Sequence, residues 1–89
     1  MLLNVVKAEY KEQYKIHLDF NNGETVMVDL KEVIFMDHRK IFEPLKDLEY
    51  FKKFSIALNT IAWENKLDLA PEFLLNLGKK QHERHLDFA

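Results

Sequence analysis

Few side chains in this chain are able to do chemistry, and their spacing limits what that chemistry is. His82 and His85 stand three apart, beside Glu83 and Asp87. On a helix this spacing sets both imidazoles on one side, near enough to share a zinc ion. Zinc would need a third or fourth ligand from Asp87 or a second subunit, and histidines near a charged terminus are more often solvated. The two stay as metal candidates only, and no cofactor is implied. His17 and Asp19 fall on one strand face, where they could help move a proton, but no nucleophile accompanies them. Asp37-His38-Arg39-Lys40 puts acid, imidazole and base in a row, and a solvated loop explains it better than a catalytic geometry. Ser55 is the sole serine, with no Gly-x-Ser-x-Gly elbow around it. Two isolated glycines cannot make a phosphate loop. The absence of Cys excludes disulfides, thiol catalysis and iron–sulfur clusters. The expectation is a protein that is not an enzyme.

Trp63, Asn65, Asp68 and Pro71 form the densest constellation. They could line a ligand-facing loop with an aromatic platform and a carboxylate. The preferred reading is a strand-to-helix connection. There Trp63 fills the core, Asn65 makes the turn, Asp68 bonds backbone amides and Pro71 starts the helix.

Binding of nucleic acid has one argument, the interleaving of Lys11 and Lys15 with Tyr10 and Tyr14. Glu9 and Glu12 cancel that charge, and the chain as a whole carries −2. Direct contact with a phosphate backbone is therefore not expected.

These side chains must be positioned by a small fold. Eighty-nine residues, 47% hydrophobic and 31% charged, suit one globular domain. No apolar run approaches the ~20 residues that span a bilayer, and no basic, then apolar segment opens the chain. A cytoplasmic location with no membrane contact is expected.

Tyr14, Ile16, Leu18 and Phe20 alternate with polar residues, as do Val26, Val28 and Leu30. A two-residue loop at Asn22-Gly23 would turn the two apolar sets to opposite faces. A three-residue loop, Asn21-Asn22-Gly23, pairs Leu18 with Val26 and Ile16 with Val28, so both sets share one face. Gly23 then takes the left-handed position of that turn. The same register sets Lys15 opposite Asp29 on the outer face.

Residues 2–8 read as a further strand, and 31–43 as a short helix or turn. Asp47 caps a helix carrying Leu48, Phe51 and Phe54. Residues 55–58 and 60–63 read as two short strands joined near Asn59. Pro71 opens a last helix with Phe73, Leu74 and Leu77 on its apolar face, and Gly78 stops it. The expected architecture is α+β: an antiparallel sheet of about four or five strands packed against two short helices. The domain spans residues 1–78, and a charged extension covers 79–89.

Four stretches carry a resemblance. They are Phe20-Asn21-Asn22-Gly23-Glu24; Val28-Asp29-Leu30; Pro44-Leu45-x-Asp47 followed by Phe51; and Trp63-x-Asn65-x-x-Asp68-Leu69-x-Pro71-x-x-Leu74. In order and spacing the chain resembles the bacterial family called domain of unknown function 2442. The family usually has Gly where Lys66 stands, and often where Asn59 stands. The resemblance implies a compact α+β domain. It also implies a partner-binding or regulatory role, since some members carry helix-turn-helix segments or lie near toxin-like genes.

The leading expectation is a protein-interaction module of bacterial type that binds a protein partner or its own copy. It would act through a sheet edge or through an apolar patch, and Met27 on the outer sheet face and the Phe35-Met36 pair are the candidates for part of such an interface. The alternative is a DNA-linked regulator or antitoxin-like component acting with a separate partner protein.

Overall fold

The computed structural model describes residues 2–86, with side chains described through residue 83. Strand β1 (Val5–Glu12) pairs antiparallel with β2 (Lys15–Phe20), which pairs antiparallel with β3 (Thr25–Asp29). The order β1-β2-β3 makes β2 central. Ile16 faces Val28 and Leu18 faces Val26, the register that a common apolar face requires. The loop closes with the Phe20 and Gly23 amides donating to the carbonyls of Glu24 and Phe20 respectively. Gly23 sits at φ +87°, where a side chain would be strained.

After β3 the chain turns into α1 (Lys31–Met36), a 3-10 helix (Lys40–Lys46) and α2 (Leu48–Phe51). The Asp47 side chain caps α2 by accepting from the Glu49 amide at 3.0 Å. Strands β4 (Ser55–Ala57) and β5 (Thr60–Ala62) form a second, two-stranded sheet. The five antiparallel strands are thus divided between two sheets. The hairpin is tied to the larger sheet by the Val5 amide, which donates to the Asn59 carbonyl at 2.9 Å. Its turn residues Leu58 and Asn59 both have positive φ, at 53° and 72°. That is the mirror-image turn that matches strand twist.

Helix α3 runs Pro71–Leu86, through Gly78 rather than stopping there. The reason is contact, not capping. A Cβ on Gly78 would lie 2.6 Å from the Val26 Cβ, so only glycine lets α3 approach β3 this closely. The first part of the expected charged extension, from Lys79 on, is therefore a continuation of this helix.

The core gathers the inner face of the large sheet, the helices and β5. Phe51 is fully buried and meets Tyr14 edge-on at 5.2 Å and Trp63 at 5.8 Å. The Trp63 indole N–H donates to the Phe51 carbonyl at 2.9 Å, which satisfies its polar atom inside the core. Among the described residues, no helix is long and apolar enough to cross a membrane.

Candidate functional site

The register of β3 dictates where its backbone groups point. The Phe20 amide donates to the Glu24 carbonyl and the Leu30 amide to the Tyr14 carbonyl, so the even-numbered residues of β3 turn their N–H and C=O toward β2. Thr25, Met27 and Asp29 turn theirs outward, along the free side of the sheet. Asp29 is already engaged. Its N–H donates to Gln81 Oε1 and its C=O accepts from Gln81 Nε2, both at 2.9 Å. A single primary amide thus stands where a neighbouring strand would.

Helix α3 reaches β3 because Gly78 admits Val26, and Lys79 pairs with Glu24 across the same gap. Between the β3 edge, the outer face of the sheet and the second half of α3 lies an open groove of about 1040 Å³. Thr25, Met27, His17, Lys15, Gly78 and His82 are among its lining residues. Its volume stands at the upper end of the ~300–1,000 Å³ usual for small-molecule pockets, and it is partly open to solvent. The lysines Lys15, Lys31 and Lys79 are balanced there by Asp29, Glu32 and Glu83. His17 Nδ1 lies 3.4 Å from Asp19 Oδ1, so the strand neighbours do meet, as a half-buried pair.

The other edge differs. β1 is irregular between Val5 and Lys7 and between Tyr10 and Glu12, and exposes Lys7, Glu9, Lys11 and Glu12. Bulges and charges are the usual protection of an edge against strand addition. Lys11 and Glu9 pair on it, and the lysine holds the Glu9 carboxyl below its ordinary value.

The three expected interface residues do not share one surface. Met27, 43% exposed, lines the groove. Phe35 packs edge-on against Tyr14 at 5.4 Å, with Lys46 Nζ 5.7 Å from its ring centre. Met36 ends α1 and is 74% exposed. Met27 on the outer sheet face thus belongs to the groove, and the Phe35-Met36 pair to the end of α1.

The motif residues hold the fold together. Phe20 and Leu45 are buried, and the Pro44 carbonyl accepts from the Asp47 amide. Asp29 also accepts from the Lys31 amide through its carboxylate. Asn65 accepts from the Leu67 amide and donates to the Ile41 carbonyl, making the turn that its type favours. Pro71 is the first residue of α3. Asp68 departs from expectation. Among the described residues no hydrogen bond reaches its exposed carboxylate, and its backbone bridges to Ala62 instead. Asp68 lines a smaller cleft of about 330 Å³ with Asp37, Arg39, Phe42 and Phe73.

His82 is exposed on the groove, and the His85 side chain and Asp87 lie outside the described residues. Among the described residues, no group of three acidic or histidine side chains is placed to hold a metal ion.

Thr25 and Gln81 are not among the candidate residues named above, and Gly78 stands there as a helix stop. The hairpin register already gives the outward parity of Thr25. Gln81 meets Asp29 across 52 positions of chain, and no local pattern announces that contact.

A family model described as protein of unknown function (DUF2442) matches residues 5–80, and the chain belongs to this family. No curated protein and no solved structure matches it.

Proposed function

We propose that this chain is a non-catalytic protein-interaction module that accepts an extended segment of a partner protein along the β3 edge. The observation that carries the reading is the outward-facing backbone of Thr25 and Met27 beside an open groove. Strand addition to such an edge draws affinity from main-chain hydrogen bonds and specificity from alternate side chains. The edge of β1 is bulged and charged, so the β3 groove is the more receptive of the two. A lone segment suits the groove better than a second folded copy, which would bring its own α3 into the same space. Freedom from cysteine and the balanced charge fit a bacterial cytoplasmic setting and a protein partner rather than nucleic acid.

The test is affinity capture from native lysate with nuclease, comparing wild type, Met27→Pro and Leu58→Asp. Proline at Met27 removes an outward N–H and leaves the ladder to β2 intact, a substitution that edge strands tolerate. A stoichiometric protein held by wild type and Leu58→Asp, but lost with Met27→Pro, supports the reading. Capture unaffected by Met27→Pro overturns it.

A further inference from the structure

Gln81 deepens the proposed function, and its role rests on β3 being the acceptor edge. The Gln81 amide occupies both the N–H and the C=O of Asp29, as the backbone of an added strand would. Its position is braced by the turn of α3 that precedes it. Gly78 is locked against Val26, and Lys79 is paired with Glu24. Among the described residues, no hydrogen bond reaches the outward N–H and C=O groups of Thr25 and Met27. We infer that Gln81 is an end stop that closes the β3 edge at Asp29 and fixes the length and register of the incoming segment. The occupant is an extended, uncharged stretch of a partner protein, because the lysines and carboxylates lining the groove balance each other. Two of its residues, separated by one, bond Thr25 and Met27. Their side chains lie on the outer face beside the Thr25 and Met27 side chains, and the residue between them faces α3.

The end stop makes a prediction that an ordinary helix-to-sheet contact does not. Removing it should lengthen the acceptor by one bonding residue. The probes are two blocked peptides with Lys flanks, one with a Thr-Val-Thr core and one with a Thr-Val-Thr-Val-Thr core. Each is titrated into the isotope-labelled full chain and followed by backbone amide shifts. Wild type should bind both with the same affinity, with shifts at Thr25 and Met27 and none at Asp29. Gln81→Ala should bind the longer peptide on the order of tenfold more tightly than the shorter, with new shifts at Asp29. Gln81→Glu, which accepts but no longer donates, should fall between them.

An equal ratio for the two peptides in wild type and Gln81→Ala would overturn the end stop while leaving the acceptor edge standing. Shifts at Asp29 in wild type would do the same. No perturbation of Thr25 and Met27 in either protein would overturn the acceptor edge, and the end stop with it.

Discussion

At the scale of single residues, several positions are held in conformations that their side chains resist. Lys66 stands at φ +72°, donating its amide to the Trp63 carbonyl in the turn before Leu67. A left-handed backbone costs a residue with a Cβ ~1–2 kcal/mol, and glycine avoids that penalty. Lys66→Gly should therefore stabilise the chain by ~0.5–1 kcal/mol, with the gain reduced by glycine's own entropy, whereas Lys66→Ala should not. Urea denaturation of both variants checks this. Asp37 offers a second residue-scale test. Arg39 hydrogen-bonds its carboxylate through side chain and backbone and holds its pKa at about 2, below its ordinary 3.8. Its contribution to stability is present above the ordinary value and is lost as pH falls through about 2. A carboxyl titration by NMR should find that low midpoint, and Arg39→Gln should raise it toward the ordinary value. The turn strain was legible in the sequence, because Lys66 and Asn59 occupy places where the resembling family has glycine. The Asp37–Arg39 pair was not, since neighbouring charges in a loop say nothing of the side chains' geometry.

At the scale of elements, alternation and turn chemistry carry most of the information. The β2–β3 register was deducible because a slip by one residue would have turned every apolar side chain of β3 to water. The start of α3 at Pro71 and the cap at Asp47 come from local rules for the same reason. Gly78 misled, because a glycine after an apolar stripe reads equally as a stop or as a close approach. Which one holds depends on Val26, far away in sequence. The contact itself is testable. Gly78→Ala raises helix propensity by ~1 kcal/mol, yet sets a methyl 2.6 Å from the Val26 Cβ. The clash should dominate, giving a net loss of ~1–3 kcal/mol by chemical denaturation. Gly78→Ala in a Val26→Gly background, which lacks that Cβ, should lose less, and full additivity would show that the two do not touch.

At the scale of the whole molecule, the fold buries the inner face of the large sheet and leaves its two edges unequal. The helices, β5 and the inner face of the large sheet meet around Phe51, so Phe51→Ala should cost ~3–5 kcal/mol and leave little folded protein. The α+β architecture was readable because the apolar pattern specifies this core almost alone. The groove beside β3 was not readable, because it arises where α3 returns to β3, and Gln81 and Gly78 have meaning only there. A free edge was expected from the size of the sheet; which edge is receptive depends on the bulges of β1 and the clasp on Asp29. Hydrogen–deuterium exchange of the β3 amides, in the free protein and in its captured complex, tests the central claim most directly. Thr25 and Met27 should exchange fast in the free protein and slowly in the complex, while Asp29, held by Gln81, stays protected in both. Thr25 and Met27 unchanged in a complex that protects β1 or β4 instead would contradict the account.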